Sequence, residues 1–285
     1  MRGFVKVISP GLYTSVQDSG RMGYRKYGIP PSGTMDKKSA ELANHLLNNS
    51  REAALLEITL HGPKLLFSVS TQISITGADI SPQLNDQPVS CNKIINIAAG
   101  DILSFGLLHF GARCYLAVKD GFQTEKIMGS HSYFTPVTTN STISKGDELP
   151  ILSYRSDEKY YATVKPDHSI FTSAKIKCSR GPEFDVLNTQ DKKLIFNSSF
   201  GITKDNNRMG YRLEGSPLKY PVNYNMLTSS VLPGTVQLTP SGQLIVLMQD
   251  CQTTGGYPRI LQVTQSGINA IAQKKQSDSI TFKID

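Results

Sequence analysis

The stretch DSGRMGYRKYGIP at residues 18–30 recurs in its main features as DNNRMGYRLEGSP at residues 205–217. Both copies contain the pentapeptide Arg-Met-Gly-Tyr-Arg, preceded by an Asp and followed by a Gly and a Pro at equal offsets. A match at fixed offsets favours an internal duplication, although a coincidental turn motif is the alternative. We therefore predict two related domains, at residues 1–165 and 166–285.

Short β-strands are predicted along most of the chain. Val, Ile, Thr, Phe and Tyr alternate with polar residues in segments bounded by Gly, Pro, Asn and Asp, which is the period of half-buried strands. The segments are FVKVIS (4–9), LLEITL (55–60), KLLFSVS (64–70), QISITG (72–77), CYLAV (114–118), AKIKCS (174–179), TVQLT (235–239), QLIVLM (243–248) and SITFKI (279–284). Such spacing favours barrels or sandwiches, so the predicted fold class is mainly β.

Helices are predicted at only two places. The first runs from Asp36 to Asn48, with Asp36 as N-cap. One face of this helix contains Ser39, Ala43, Leu46 and Leu47. A second, short helix is predicted from Gly267 to Lys274. The polar stretch 130–170 is predicted to be a long loop or a linker between the halves.

Composition is that of a globular protein, with 39% apolar and 19% charged residues. The net charge of +7 is dispersed along the chain, which favours solubility and local anion binding over nucleic-acid binding. No apolar run approaches the roughly 18 residues of a membrane span, and the first residues lack the apolar core of a signal peptide. A cytoplasmic protein is therefore expected. The four Cys and five His are scattered, so reduced thiols and no metal site are predicted.

The repeated pentapeptide places two arginines around a glycine turn. Gly23 and Gly210 permit a tight turn, and the planar, permanently charged guanidinium suits a carboxylate or phosphate. Asp18 and Asp205 precede the two copies and are expected to orient the arginines. A structural Arg–Asp pair that pins a loop is an equally weighted alternative. The candidate ligand-binding residues are Arg21, Arg208 and Arg212.

The segment PPSGTMD at 30–36 forms a rigid turn that leads into the first helix. Free amides and the helix dipole favour an anion at such a helix start. Ser32 and Asp36 are therefore candidates, although Asp36 suits an ordinary N-cap equally well.

Two further turns follow strands of the second half. In MQDCQTTGGYPRI, residues 248–260, polar groups stand at the exit of an apolar strand, which is a common position for binding groups. This loop supplies the candidates Gln252, Thr253, Thr254 and Tyr257. In CSRGPEFD, residues 178–185, Glu183 suits a general acid or base if it is buried. The catalytic residues remain unassigned, and the candidates are Asp36, Glu183 and Asp250.

Together and in this order, these segments resemble the carboxyltransferase-like family that includes the C subunit of bacterial 5-oxoprolinase, also called allophanate hydrolase subunit 2. The segments are TSVQDSGRMGYRKYGIPPSGTMD (14–36), ANHLLNN (43–49), LLEITLHGP (55–63), ITGAD (75–79), RGPEFD (180–185), NRMGYRLEG (207–215) and QTTGGYPRI (252–260). The resemblance implies two cyclophilin-like β-barrel domains with one or two short helices.

The same resemblance implies a function. Family members work with two partners, the A and B subunits, of which B is kinase-inhibitor-like, and together they cleave 5-oxo-L-proline to L-glutamate with ATP hydrolysis. ATP is then a cofactor of the complex, and this chain lacks the Met-Lys-Met of a biotin acceptor. Two alternatives are the carboxyltransferase component of a biotin-dependent urea carboxylase, and a regulatory partner without turnover that antagonises a kinase inhibitor.

Three short segments depart from the pattern of this family. Lys119-Asp120-Gly121 stands where a Gly-Gly pair is usual, and residues 129–133 read GSHSY instead of a sequence close to GSRST. The helix usually ends in LVGN in this family, whereas here it ends in Leu46-Leu47-Asn48-Asn49. Loops of this kind often line pockets, so these differences bear on substrate identity.

Overall fold

The computed structural model describes residues 2–155, 164–165, 168–221 and 226–285. The chain divides into two compact units. The first combines Met1–Arg21 with Ser32–His168, and the second combines Met22–Pro31 with Ser169–Asp285. The first pentapeptide is thus split after Arg21, and its remaining residues belong to the second unit. Among the described residues, no helix is long and apolar enough to cross a membrane.

Eleven strands form two sheets in the first unit. They are β1 (Arg2–Ser9), β2 (Tyr13–Gln17), β3 (Leu55–Thr59), β4 (Lys64–Phe67), β5 (Thr71–Asp79), β6 (Pro82–Leu84), β7 (Gln87–Pro88), β8 (Ile94–Ile97), β9 (Ile102–Phe105), β10 (Phe110–Val118) and β11 (Glu148–Leu152). One sheet has the order β11-β1-β4-β9-β6-β7, and the other has the order β2-β3-β10-β5-β8. Alternate side chains, such as Val5 and Val7 of β1, point into one core shared by both sheets.

Helix α1 (Lys37–Leu46) confirms the first predicted helix. Asp36 caps it, since the carboxylate accepts hydrogen bonds from the amide and the hydroxyl of Ser39 at 3.1 and 2.6 Å. Ala40, Ala43 and Leu47 pack against residues of β3 and β10. Two hydroxyls of β5 also bond to helix carbonyls, so polar contacts and packing together fix α1 on its sheet.

In the second unit seven strands close into a barrel of order β12-β19-β16-β17-β14-β13-β20. The strands of this unit are β12 (Lys175–Arg180), β13 (Phe200–Asn206), β14 (Gly210–Glu214), β15 (Ser229–Ser230), β16 (Thr235–Leu238), β17 (Leu244–Leu247), β18 (Thr254–Gly255), β19 (Arg259–Val263) and β20 (Ser279–Ile284). Strands β15 and β18 pair as a separate ribbon. The barrel closes where β12 and β20 run parallel.

Three further helices belong to the second unit: α2 (Ser169–Thr172), α3 (Thr189–Asn197) and α4 (Gln265–Ala272). Helix α4 confirms the short helix predicted from 267 to 274. Helices α2 and α3 were not predicted, so the described residues form four helices instead of one or two. Only Asp191 and Ile195 of α3 are buried, which leaves little apolar periodicity to read in its sequence.

The mainly β prediction is confirmed, and the second unit contains a closed barrel. The first unit instead encloses its core between two sheets. The stretch predicted to be a loop contains β11, and its residues 156–163 and 166–167 lie outside the described residues.

The close approach of Gly181 to β19 gives a test of the barrel. A Cβ at Gly181 would lie 2.1 Å from the carbonyl oxygen of Arg259, whereas the nearest atom to a Cβ at Gly201 is 3.7 Å away. We expect Gly181→Ala to lower the free energy of unfolding by about 1–3 kcal/mol through overpacking. The control Gly201→Ala should stay within about 0.5 kcal/mol of the parent chain. Denaturant unfolding measures both, and an equal loss would contradict the predicted contact.

Candidate functional site

The loop after β17 is held by the second pentapeptide. Its first residues extend the barrel pairing, since Met248 donates its amide to the carbonyl of Met209 at 3.0 Å, and Asp250 donates to that of Arg208 at 2.8 Å. The polar loop predicted at 248–260 therefore starts from a rigid position on the barrel.

Arg208 and Asp250 form a buried ion pair. The Nε and Nη2 atoms of Arg208 donate to the two carboxylate oxygens of Asp250 at 2.7 and 3.1 Å, which is a bidentate geometry. Asp205 was expected to orient Arg208, but it is exposed on β13 and the observed partner is Asp250. Both oxygens of the catalytic candidate Asp250 thus serve to fix Arg208.

Glu183 also forms an ion pair with an arginine. Its carboxylate accepts from the Nε, Nη2 and backbone amide of Arg259 at 2.8, 2.6 and 2.9 Å. These hydrogen bonds lower the pKa of Glu183. The side chain is therefore an ionised structural partner of Arg259 at neutral pH, and it does not suit the role of general acid.

Arg212 lies on the outside of the barrel. Its neighbours on β14, Tyr211 and Leu213, are buried, whereas Arg212 is exposed because side chains alternate along a strand. The two arginines of the second pentapeptide therefore do not form a fork around one ligand.

Gln237 contacts the polar loop at two points, although its position in the sequence did not mark it as a candidate. This β16 residue is only 1% exposed. Its Nε2 donates to the carbonyl of Tyr257 at 3.5 Å, and its Oε1 accepts from Nε2 of Gln252 at 3.4 Å. The signal in the sequence is an amide between the apolar residues Val236 and Leu238 of the strand TVQL.

Most of the predicted side chains of this loop are open to solvent. Gln252 and Tyr257 are exposed, and Thr254 is exposed on β18. Thr253 is half-buried, and its carbonyl accepts from the amide of Val231 at 3.1 Å. The structure thus brings two of the four predicted residues, Gln252 and Tyr257, to one buried amide, whereas Thr253 and Thr254 contact other parts of the second unit.

Arg25 of the first pentapeptide also reaches this loop. Its Nη2 donates to the carbonyls of Val231 and Thr253, the latter at 3.3 Å. Its Nη1 is buried and has no hydrogen-bond partner among the residues that the structure describes. Leaving a buried donor of a charged group unpaired costs about 1–3 kcal/mol or more. Nη1 of Arg25 therefore stands out, among the described polar atoms of the second unit, as a donor that a ligand could satisfy.

Cys251 lies beside Arg25 but does not suit a nucleophile. Burial raises its pKa to about 12, with a smaller contribution in the same direction from Asp250 and an opposing one from Arg25. It is therefore a protonated thiol at neutral pH, and the thiolate is the reactive form.

In the first unit Asp18 ties two loops together. Its buried carboxylate accepts four hydrogen bonds of 2.6 to 2.8 Å, from the amides of Gly20 and His131 and the hydroxyls of Ser130 and Ser132. Asp18 was expected to orient Arg21, but its observed partners are these four groups.

Arg21 is also part of this brace. The side chain has no exposed surface, and it donates from Nε to the carbonyl of Ile127 at 3.0 Å and from Nη2 to that of Ser132 at 2.9 Å. These contacts favour the structural reading of Arg21 over the ligand-binding reading.

The start of α1 is occupied by groups of the protein itself. Ser32 is buried, and its φ of 55° lies in the left-handed region. The backbone therefore turns at Ser32, shortly before α1 begins. The amide of Met35 donates to Oε2 of the buried Glu57 at 2.7 Å, and that of Asp36 donates to the hydroxyl of Tyr115 at 2.7 Å. A protein carboxylate, that of Glu57, thus lies just ahead of the N-cap of α1.

A cavity of about 550 Å³ also lies in the first unit. Its lining includes Asp120 and His131, which belong to two of the segments that depart from the family pattern. Burial lowers the pKa of His131, whose Nδ1 lies 3.2 Å from the hydroxyl of Thr124. The lining residues are Ser50, Glu52, Ala53, Ala54, Asp120, Phe122, Gln123, Thr124, Lys126 and His131.

Residues 27–284 match the family described as carboxyltransferase domain, subdomain A and B. The matched range includes the Arg208–Asp250 and Glu183–Arg259 pairs and the two residues, Val231 and Thr253, whose carbonyls contact Arg25. The chain belongs to this carboxyltransferase-domain family. It is 34% identical to the C subunit of 5-oxoprolinase from Escherichia coli over 98% of this chain and 90% of that protein. The family resemblance seen in the sequence is therefore confirmed.

Two solved structures share the carboxyltransferase-domain fold. The protein TTHA0988 superposes with a TM-score of 0.89 at 25% identity, covering 99% of this chain and 55% of that one. Urea carboxylase of Kluyveromyces lactis superposes with a TM-score of 0.87 at 30% identity, covering 98% of this chain and 27% of that one. The chain thus spans only part of the length of both solved relatives.

The Arg208–Asp250 pair gives a test of its structural role. We expect Asp250→Asn to lower the free energy of unfolding by about 3–5 kcal/mol, because it leaves a buried guanidinium without its counter-charge. The control Asp205→Asn changes the exposed carboxylate of the same repeat and should cost less than about 0.5 kcal/mol. Chemical denaturation of both variants checks this expectation, and equal losses would refute it.

The lowered pKa of Glu183 predicts a pH-dependent stability. Its stabilising contribution is complete above the ordinary glutamate pKa and is lost as pH falls through the lowered folded-state pKa. Glu183→Gln should therefore cost about 1 kcal/mol at pH 7, a value discounted for partial exposure, and progressively less as pH falls below the ordinary glutamate pKa. Unfolding curves recorded over a series of pH values measure the difference. Glu214→Gln, at an exposed position of β14, is the control and should show no such trend.

Proposed function

We propose that this chain is the C subunit of an ATP-dependent 5-oxoprolinase, which cleaves 5-oxo-L-proline to L-glutamate together with the A and B subunits of the same system. The observation that supports this proposal is the similarity to the C subunit of the Escherichia coli 5-oxoprolinase, which extends over nearly the whole of both chains. A similarity of this extent includes both units and is not limited to one motif.

The polar groups of the second unit suit this substrate. 5-Oxoproline carries a carboxylate and a lactam, and the guanidinium of Arg25 and the amides of Gln237 and Gln252 are matching donors and acceptors. The sequence contains no G-x-x-x-x-G-K-[ST] loop for phosphates. We therefore assign ATP binding to the assembled complex.

The proposed reaction activates the lactam before hydrolysis. The γ-phosphoryl group of ATP passes to the lactam oxygen with release of ADP, a first water attacks the lactam carbon, and the C–N bond breaks to leave an acyl phosphate. A second water hydrolyses this acyl phosphate to L-glutamate and inorganic phosphate. Asp36, Glu183 and Asp250 already bind protein groups. The general base is accordingly proposed to come from one of the partner proteins.

A biotin-dependent carboxyltransferase is the second candidate function. Its support is the family match together with the structural similarity to urea carboxylase. In that case a carboxyl group carried by a separate biotin protein would pass to an amide such as urea, and no glutamate would form.

Reconstitution distinguishes the two functions. This chain and its neighbouring A and B subunits should together release L-glutamate from 5-oxo-L-proline only when ATP is present. Omission of any one of the three proteins is the control and should abolish the release. A complete complex that releases no glutamate with ATP, but carboxylates urea when a carrier protein loaded with carboxybiotin is added, would replace the first proposal with the second.

A further inference from the structure

We propose that Arg25 and Gln237 form a subsite for a ligand that carries both a carboxylate and an amide, and that residues 252–257, here called the cover loop, close over it. The identity of the ligand as 5-oxoproline rests on the proposed function. The existence of the subsite rests on the contacts within the second unit.

Arg25 supplies the carboxylate-binding group. Two backbone carbonyls hold its Nη2, which fixes the plane of the guanidinium, while the buried Nη1 has no hydrogen-bond partner among the described residues. A guanidinium stays charged at every physiological pH, so this nitrogen cannot lose its proton to relieve the unpaired donor. A carboxylate oxygen is the strongest partner available to it.

Gln237 supplies the amide-binding group. Its side chain is buried on β16, yet its two hydrogen bonds to the cover loop measure 3.4 and 3.5 Å. The usual N–H···O distance is about 2.9–3.0 Å, so the primary amide is weakly satisfied. A lactam offers one N–H and one carbonyl, which complement the carbonyl and the amino group of a glutamine side chain.

The hydrogen bonds that join the cover loop to Arg25 and Gln237 are long in the part of the chain that the structure describes. The contact of Arg25 with the carbonyl of Thr253 is 3.3 Å, similar to the two contacts of Gln237. The contacts of the loop with residues 229–231 are tighter, because β18 pairs with β15 and the carbonyl of Thr253 accepts from the amide of Val231 at 3.1 Å. Displacement of the cover loop therefore breaks weak hydrogen bonds to Arg25 and Gln237 and exposes both side chains.

Substitutions at two adjacent glycines distinguish the effect of contact with Gln237 from the effect of reduced loop flexibility. A Cβ at Gly255 would lie 2.6 Å from Nε2 of Gln237, whereas a Cβ at Gly256 would have no atom within 4 Å. Gly255→Ala must therefore shift the buried amide, and Gly256→Ala changes the loop without touching it.

Kinetics of the complete three-protein complex test the carboxylate half. Arg25→Met should raise KM for 5-oxo-L-proline by roughly 10- to 100-fold, the effect of one lost charge-assisted hydrogen bond, with a smaller change in kcat. The matched control Lys26→Met alters an exposed neighbouring cation and should leave KM unchanged. The preference for 5-oxo-L-proline over 2-pyrrolidinone, which lacks the carboxylate, should also collapse in Arg25→Met. A preference equal to that of the parent complex would overturn the assignment of Arg25.

The glycine pair tests the amide half. Gly255→Ala should raise KM for 5-oxo-L-proline and for 2-pyrrolidinone by a similar factor of several-fold, because both contain the lactam. Gly256→Ala should leave both values unchanged. Equal effects of the two substitutions would show that the loop, and not the contact with Gln237, determines binding, and would refute the role of Gln237.

Direct binding separates this inference from the proposed function. The full chain alone is titrated with 5-oxo-L-proline and with acetate, and binding is followed by NMR. Binding that Arg25→Met abolishes and Lys26→Met preserves supports the subsite even if the complex has no 5-oxoprolinase activity. Binding that both variants retain, with folding verified by circular dichroism, overturns the subsite even if the complex is active.

Discussion

The bidentate pair of Arg208 and Asp250 is the interaction on which the position of the polar loop at residues 248–260 depends. It joins the turn before β14 to the first residues after β17, and the backbone bonds of Met248 and Asp250 continue the barrel across the same place. Because both ions are removed from water, their desolvation must be offset by their mutual contacts. The polar loop beyond them then starts from a fixed point, which is a requirement for a precise binding geometry.

The repeated pentapeptide shows how one sequence serves different purposes in different surroundings. Arg21 binds backbone carbonyls in a fully buried brace, and Arg208 binds a carboxylate at the equivalent place in the second copy. Arg25 lies against the polar loop, whereas its counterpart Arg212 faces outward from the barrel. A guanidinium has five donors in a planar fork, so the local supply of acceptors decides which role each arginine takes.

Much of the fold could be predicted because its signals are local. The alternation in β1 and the capping Asp of α1 are properties of adjacent residues, and both are confirmed. Helix α3 was missed because it buries few residues. The closure of the barrel through β12 and β20 joins distant parts of the chain, and no local pattern specifies such a pairing.

The partners of the site residues were harder to predict than their positions. The sequence placed an Asp three residues before each arginine, but Asp18 binds the loop at 130–132 and Asp250 takes the place of Asp205. Gln237 and Arg25 gain their significance from burial and from an unpaired donor, which only the folded chain shows. Proximity in sequence is a poor guide where both partners can reach groups far along the chain.

The membership of residues 22–31 in the second unit affects how the protein can be divided. A fragment that starts at Ser169 would contain every barrel strand and still lack Arg25, the residue that contacts the carbonyls of Val231 and Thr253. The two compact units are thus not two consecutive pieces of sequence. Dissection of the chain would have to graft this segment onto the barrel, as a linked peptide or by circular permutation, to preserve the surroundings of its polar loop.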